Sequence, residues 1–273
     1  MDRDSILEMC ATIRADILVM LNKAKSGHPG GSLSAVELVT VLYFGGILKY
    51  DAKNPKWEGR DVFLLSKGHA CPVVYAALAR AGFFSLDELG TLRKVGSILQ
   101  GHPNAKLTPG IDCSSGSLGQ GLSIANGLGL AFKKQAVPNR VYCLMGDGEL
   151  QEGQIWEAAM TSAHHKIDNI CAIVDSNGIQ LDGRVDEIKG IEPLADKWSS
   201  FGWNVIECDG HDVGQVFDAY KAAASKTGKP SVIIAKTIKG KGVSFMENDS
   251  NWHGLVPNDE QLAEALAGIV GKE

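Results

Sequence analysis

The strongest constraint on the fold is an alternation between short apolar runs and longer stretches with helical periodicity. The apolar runs have strand length and lie at 62–65, 141–145, 170–175, 205–208 and 232–236. Several are apolar at nearly every position, which is typical of strands buried on both faces of a parallel sheet. Helical patterns lie at 3–23, 33–45, 70–81, 118–135, 153–166, 190–201, 213–225 and 258–269. The alternation predicts an α/β fold in which helices flank a doubly wound, mainly parallel sheet.

Composition narrows the class of protein. The 273 residues are 44% apolar and 22% charged, a balance typical of globular proteins. The net charge of -5 and the lack of a basic run give no support for nucleic-acid binding. No segment approaches the roughly 18 apolar residues of a membrane span, and the first residues do not resemble a signal peptide. Six scattered cysteines without a paired spacing fit a reducing compartment, so we expect a cytoplasmic protein.

The loop after the run at 141–145 carries the densest polar motif. It reads GDGELQEG from Gly146, and the next run is followed by SNGI from Ser176. Ligands of parallel sheets bind at the carboxyl ends of the strands, so neighbouring strands would bring Asp147 and Asn177 to one edge. A carboxylate, an amide oxygen and a backbone carbonyl suit Mg²⁺ when diphosphate and water oxygens complete the octahedron. Each motif alone is often only a tight turn, so the hypothesis depends on their combination.

Histidines are concentrated in glycine-rich loops. Four of the seven directly follow a glycine, and a fifth precedes one. Such loops expose side chains and backbone amides together, which favours a shared ligand site. The five are His28, His69, His102, His211 and His253. Of these, His211 is also expected to help cap the following helix, whereas His164 and His165, near a helix end, are interpreted as structural.

These motifs resemble those of the transketolase family. The segment GDGELQEGQIWEAAMTSAHHKIDNICAIVDSNGIQLDG is similar over its whole length to the cofactor motif of these thiamine diphosphate enzymes. Further matches, in the family's order, are SGHPGGSLSA, LLSKGHACPVVYAAL, SSGSLGQGLSIANGLG, DGHD and KTIKGKGVSFMENDSNWHG. The resemblance implies a single thiamine diphosphate-binding domain over residues 1–273, equivalent to the N-terminal domain of a transketolase.

The resemblance also implies how the cofactor is held. Asp147 and Asn177 would bind a metal ion through their side chains and Ile179 through its backbone oxygen. The expected ion is Mg²⁺, with Ca²⁺ or Mn²⁺ as alternatives. The implied cofactor contacts are Lys67, His69, Gly116, Ser117, Leu118, Asp147, Gly148, Asn177, Lys239 and His253.

Catalytic roles follow from the same resemblance. His28 and His253 would bind the hydroxyls of the sugar, and His102 would assist proton transfer near the reacting carbon. His69 would contact the diphosphate, and Glu152 resembles a glutamate that couples two active sites across a subunit interface. The implied reaction is that of a transketolase in the pentose phosphate pathway. A two-carbon ketol unit passes from a ketose phosphate to an aldose phosphate, and the cofactor supplies the carbon–carbon chemistry.

The resemblance covers only the first of the three domains of a complete transketolase. The implied partner is a second chain that carries the pyrimidine-binding and C-terminal domains, and an α2β2 assembly is expected. A shortened chain is the alternative, although the ending GKE without a tag favours a natural terminus.

Other functions stay open from the sequence. The chain is alternatively half of an enzyme acting on a sulfosugar or a branched sugar, a 1-deoxyxylulose-5-phosphate synthase, or a 2-oxoacid dehydrogenase component. The SGHP, KGH and WHG loops argue against the last two. A non-catalytic nucleotide-binding module is disfavoured because GxGxxG after a first strand and GxxxxGK[ST] are both missing. A degenerate subunit is disfavoured by the intact histidines and metal ligands.

Overall fold

The computed structural model describes residues 1–270 and is organised around a parallel five-stranded sheet. The expected domain end at 271–273 lies outside the described residues. The sheet strands are β1 (Val62–Leu65), β2 (Val141–Gly146), β3 (Ile170–Ser176), β6 (Asn204–Asp209) and β7 (Ser231–Lys236). Their spatial order is β1-β2-β3-β7-β6, and every neighbouring pair is parallel. A separate antiparallel pair is formed by β4 (Ile179–Gln180) and β5 (Gly183–Arg184). The predicted mainly parallel sheet is confirmed.

Helices flank the sheet, as predicted. The α-helices are α1 (Arg3–Ala24), α2 (Pro29–Leu33), α3 (Val36–Phe44), α4 (Cys71–Arg80), α5 (Gln120–Lys134), α6 (Gly153–His164), α7 (Val185–Lys189), α8 (Leu194–Ser200), α9 (Val213–Ser225) and α10 (Asp259–Val270). Short 3-10 turns lie at Gly68–Ala70, Leu86–Thr91, Gly148–Gln151 and Ser250–His253. In the described residues, no helix is both long enough and apolar enough to cross a membrane.

Alternate residues of the central strand serve two hydrophobic cores. In β3, Cys171 and Ile173 belong to the core formed with α1, α3, α4 and α9. Ala172 and Val174 belong to the opposite core, formed with α5, α6 and α8. Because the strand is buried on both faces, its sequence is continuously apolar instead of alternating. This burial explains the pattern from which the sheet was predicted.

Two helix predictions have wrong boundaries. The predicted helix 33–45 is two helices, because α2 ends at Leu33 and α3 begins only at Val36. The start of α2 was not predicted because its sequence, PGGSL, contains two glycines, which disfavour a helix. Its first residue is a proline, which is favourable in the first turn of a helix. The predicted helix 190–201 begins only at Leu194, directly after Pro193.

The prediction that His211 caps a helix is wrong. The N-cap of α9 is Asp212, whose carboxylate accepts hydrogen bonds from the amides of Gly214 (2.8 Å) and Gln215 (3.2 Å). The His211 side chain turns inward instead. Its Nδ1 lies 3.0 Å from the Glu37 carboxylate, and its Nε2 accepts a hydrogen bond from the amide of Ile238 (2.8 Å). A ring with two polar atoms satisfied inside the fold cannot also bind the helix terminus.

Candidate active site

The carboxyl ends of β2 and β3 meet at one edge of the sheet. Gly146 lies opposite Asp175 in the parallel register, so Asp147 and Asn177 follow neighbouring strand ends. The Asp147 carboxylate accepts hydrogen bonds from the amides of Gly148 (2.8 Å) and Gly178 (2.5 Å). These bonds fix the carboxylate between the two loops and leave further acceptor sites on its oxygens.

The three expected metal ligands present oxygens at this edge. Asn177 Oδ1 accepts from the amide of Ile179 (3.1 Å), and the Ile179 carbonyl accepts from Lys239 Nζ (2.9 Å). Together with Asp147 they supply a carboxylate, an amide and a carbonyl oxygen, the donor types that suit a hard divalent cation. Residues 1–270 hold no cluster of three acidic, histidine or cysteine ligands. The carboxylate, amide and carbonyl oxygens of Asp147, Asn177 and Ile179 would suit a divalent cation whose remaining ligands are diphosphate oxygens.

Two lysine ammonium groups are buried beside these oxygens. Lys67 and Lys239 are each only 2% exposed, although lysines are rarely buried. Burial and the nearby ammonium of Lys67 lower the pKa of Lys239 to about 8. Burial and the nearby carboxylate of Asp175 raise the pKa of Asp147 to about 6. The site thus brings buried ammonium groups and buried carboxyl groups close together, away from bulk water.

Asp175, which sequence analysis missed, anchors Lys67. The two form a buried ion pair of 2.5 Å. Asp175 also accepts hydrogen bonds from Ser34 (2.5 Å), Asn177 (3.0 Å) and Thr237. Burial alone would raise its pKa, but the Lys67 ammonium and these hydrogen bonds hold the pKa below its usual value. An acid at the end of an otherwise apolar strand was the signal that could have identified it.

Three histidines converge over the same site from three different loops. The ring centroids of His28 and His69 are 5.3 Å apart, those of His28 and His253 5.4 Å, and those of His69 and His253 5.1 Å. Burial is the main cause that lowers their pKa values, and nearby cations add to it. The pKa is about 4 for His28, about 2 for His69 and about 3 for His253. The three rings are therefore neutral near pH 7.

A cavity of about 280 Å³ brings together ten of the expected site residues. These are Lys67, His69, Leu118, Asp147, Gly148, Glu152, Asn177, Ile179, Lys239 and His253. Buried ammonium groups and hydrogen-bonding rings around one cavity fit a diphosphate, because such an anion must be both neutralised and hydrogen-bonded. Gly31 keeps one wall open, since a Cβ there would lie 3.6 Å from His69 Nε2 and 3.9 Å from Lys67 Nζ.

Four expected residues lie outside the cavity lining. His28 contacts the rings of two lining histidines. His102 packs against Gly116, where a Cβ would lie 3.2 Å from the ring; Gly116 has φ +151°, a conformation that favours glycine. Ser117 is exposed. His28 Nδ1 and Ser115 Oγ are buried without a hydrogen-bond partner in the described residues.

Glu149 holds the glycine-rich loop against the end of β2, a role that sequence analysis missed. Its carboxylate accepts from the amides of Gly119 (2.9 Å) and Gly146 (3.1 Å) and from the Ser66 hydroxyl. Ser66 Oγ in turn accepts from the amide of Gly121 (3.1 Å). Burial raises the pKa of Glu149. Its place within GDGE gives no hint that it is buried at the junction of three segments.

Comparison with known proteins was consistent with this geometry. The family described as transketolase, thiamine diphosphate binding domain, matches residues 6–269. The 6-deoxy-6-sulfo-D-fructose transketolase subunit SqwG of Clostridium sp. (strain MSTE9) is 45% identical over 257 residues, covering 94% of this chain and 93% of that protein. An apulose-4-phosphate transketolase subunit of Phocaeicola vulgatus is 41% identical over 256 residues, covering 94% of this chain and 90% of that protein.

Solved transketolases share the fold. The enzyme from Campylobacter jejuni superposes with a TM-score of 0.94 at 34% identity, covering 99% of this chain and 43% of its own. The Leishmania mexicana enzyme gives a TM-score of 0.93 at 32% identity, covering 97% of this chain and 41% of its own. The chain thus spans about two fifths of the length of these enzymes. It belongs to the transketolase family and corresponds to that family's thiamine diphosphate-binding domain.

Proposed function

We propose that this chain is the thiamine diphosphate-binding subunit of a two-chain transketolase. The observation that carries the proposal is the convergence of His28, His69 and His253 above a cavity that also contains Lys67 and Lys239. Neutral rings next to buried cations can bind a diphosphate and still exchange protons with sugar hydroxyls. Residues 1–273 would form one domain of the assembly.

The protein's own groups would bind and orient both reactants. Thiamine diphosphate, when bound, supplies the carbanion chemistry that breaks and re-forms the carbon–carbon bond next to a ketose carbonyl. Lys67, Lys239 and His69 would neutralise and hydrogen-bond the diphosphate. Asp147, Asn177 and the Ile179 carbonyl would hold the divalent cation, with Mg²⁺ the expected ion and Ca²⁺ or Mn²⁺ the alternatives. Gly148 and Leu118 would lie against the cofactor.

Histidines would form hydrogen bonds with the sugar hydroxyls and exchange protons with them. His28 would bind a sugar hydroxyl, and its buried Nδ1 has no hydrogen-bond partner in the described residues. His253 Nδ1 lies 2.8 Å from Lys239 Nζ, which leaves Nε2 for the substrate. His102, exposed and packed on Gly116, would assist proton transfer near the reacting carbon. Gly116 and Ser117 would approach the aminopyrimidine, and Glu152 would couple two active sites across a subunit interface.

A second chain would complete the active site. The relatives named as transketolase subunits are matched over 90–95% of their own length, whereas solved transketolases are matched over about two fifths. This difference supports a partner that carries the pyrimidine-binding and C-terminal domains, and an α2β2 assembly is part of the proposal. A cytoplasmic location stays a prediction from the scattered cysteines.

The identity of the donor sugar is the next part of the proposed function. A pentose phosphate pathway substrate was the first expectation, but two similar proteins are named for a sulfonated ketose and for apulose 4-phosphate. We therefore propose ketol transfer from a ketose phosphate as the first candidate reaction, with a sulfosugar or a branched sugar as the second candidate donor.

A donor panel tests this proposal. The co-expressed subunits would receive thiamine diphosphate, Mg²⁺ and a common aldose acceptor, with xylulose 5-phosphate, 6-deoxy-6-sulfofructose or apulose 4-phosphate as donor. We expect ketol transfer from at least one donor, and none after Asp147→Ala. Cofactor binding without transfer from any of the three would contradict the proposed reaction while leaving the cofactor site intact.

A further inference from the structure

Among the arginines of residues 1–270, Arg93 is the one whose guanidinium pairs neither with a carboxylate nor with several backbone carbonyls. Five of the seven arginines form ion pairs with carboxylates: Arg3, Arg14, Arg60, Arg80 and Arg184. Arg140 donates to three backbone carbonyls. Within residues 1–270, the Arg93 guanidinium donates only to a hydroxyl, Ser26 Oγ, at 2.8 Å. A guanidinium has five N–H donors, so most of the hydrogen-bonding capacity of Arg93 is unused in the described residues.

The position of this guanidinium is specific. Ser26 lies two residues before His28, and the Arg93 guanidinium also lies against Gly101, the residue before His102. A Cβ at Gly101 would lie only 3.0 Å from Arg93 Cζ, so the glycine makes room for the group. The guanidinium therefore lies between the segments that carry His28 and His102, two of the three histidines proposed to act on the sugar. Burial is the largest cause that lowers the pKa values of His28 and His102, and the charge of Arg93 adds to it.

The backbone holds Arg93 in place. Arg93 has φ +60°, a left-handed conformation that is unfavourable for a residue other than glycine. Its amide donates to the Leu99 carbonyl (2.8 Å), and Leu99 is held in turn by the buried Ser97 hydroxyl (2.9 Å). Strained residues that the surrounding structure over-determines concentrate at ligand sites. A held, exposed and largely unpaired guanidinium is suited to binding an anion.

We propose that Arg93 recognises the anionic end of the sugar substrate, a phosphate or a sulfonate, at the mouth of the site. This inference rests on the proposed ketol transfer and adds a specificity-determining residue on this chain. An arginine fork matches the oxygens of either anion in a bidentate geometry, which a lysine cannot reproduce. A neutral sugar would gain nothing from it.

Three donors that differ only at C6 test the inference in the assembled enzyme. They are fructose, fructose 6-phosphate and 6-deoxy-6-sulfofructose, each with glycolaldehyde as a neutral acceptor, so that the donor carries the only anionic group. Transfer of C1 and C2 leaves a four-carbon aldose and forms erythrulose in every case. Comparison of the phosphate and sulfonate donors identifies which anion the site prefers.

We expect Arg93→Gln to lower kcat/KM for the anionic donors by roughly 10- to 100-fold, mainly through KM, and for fructose by less than about threefold. Arg93→Lys should recover only part of the loss. Lys94→Gln removes the same charge from the exposed neighbouring residue and should change all donors little.

An equal fall for fructose and the anionic donors would overturn the inference, since it would indicate that Arg93 only supports the histidines or pairs with the second chain. An equal effect of Lys94→Gln would also overturn it, by showing long-range attraction instead of a contact. Wild-type assembly that transfers no ketol unit from any donor would instead contradict the proposed function itself, and the inference would fall with it.

Discussion

At the residue scale, the Lys67–Asp175 pair combines an expected cofactor contact with a buried charge. Both side chains are almost fully buried, and their nitrogen and oxygen lie 2.5 Å apart. A buried pair gives modest net stability, but removing one partner leaves an uncompensated charge in a water-poor interior. The position of Lys67, a proposed cofactor contact, therefore depends strongly on Asp175.

Lys67→Met should destabilise the isolated chain strongly. The change leaves the Asp175 carboxylate without its cation, which typically costs about 3–5 kcal/mol of unfolding free energy. Urea unfolding monitored by circular dichroism measures the loss. Lys67→Met combined with Asp175→Asn should recover part of it, because the buried charge is then absent. A double variant less stable than the sum of both single changes would contradict this explanation.

The neutral histidines predict a pH dependence of stability. Folded His69 has a pKa of about 2, against an ordinary value of about 6.5 for the unfolded chain. Between these values the unfolded state holds more protons, so the free energy of unfolding falls as pH falls below about 6.5, by up to ~1.4 kcal/mol per pH unit for this group.

Thermal unfolding from pH 8 to pH 5 measures this dependence. His69→Asn should flatten the decrease in Tm below pH 6.5, because asparagine does not titrate. The comparison of variant with wild type isolates His69 from Asp147, whose raised pKa acts with the opposite sign near pH 4 to 6. Parallel Tm curves for the two proteins would show that His69 is not held neutral by the fold.

At the element scale, α5 packs tightly on one end of β1 and faces open space in its middle. A Cβ at Gly121 would overlap the Ser66 side chain, whereas a Cβ at Gly127 would meet nothing within 4 Å. Gly121→Ala should therefore destabilise the chain by roughly 1–3 kcal/mol through overpacking. It should also weaken cofactor binding, because Ser66 is hydrogen-bonded to Glu149.

Gly127→Ala is the matched control on the same helix. It should raise the free energy of unfolding by about 0.5–1 kcal/mol, because alanine is the better helix former. Chemical denaturation and a thiamine diphosphate titration of both variants measure the two effects. Similar behaviour of the two alanine variants would contradict the packing described for α5.

Strands and long helices were predictable from the sequence because their buried residues form apolar patterns that extend over many positions. The run 62–65 coincides with β1, and β2, β3, β6 and β7 extend their predicted runs by one or two residues. The hairpin β4–β5 was not predicted, because two-residue strands are too short to show a pattern. Helix α2 was missed because it has five residues, two of them glycines.

The composition of the site was more predictable than its geometry. The strand-end positions of Asp147 and Asn177 followed from sheet topology alone. The convergence of His28, His69 and His253 depends on three loops whose paths no local pattern encodes. Asp175 and Glu149 were missed because a sequence does not show which acids are buried and paired.

At the scale of the whole molecule, the proposed function makes this chain one wall of a site. The cavity of about 280 Å³ is lined by the groups proposed to hold the diphosphate and the metal, and a partner would have to contact the rest of the cofactor. We therefore expect the isolated chain to bind thiamine diphosphate at least tenfold more weakly than the assembly does. Calorimetric titration with Mg²⁺ present measures both affinities. Equal affinities would mean that this chain supplies all of the cofactor contacts.

The most direct test of the central claim is a ketol-transfer assay of this chain alone and co-expressed with a chain that carries the pyrimidine-binding and C-terminal domains of a transketolase. Both reactions would contain thiamine diphosphate, Mg²⁺, the three donors of the donor panel and their common aldose acceptor. We predict no transfer by the isolated chain and transfer by the pair, lost again with Asp147→Ala in the pair. Transfer by the isolated chain would contradict the claim, because one chain would then hold the complete active site.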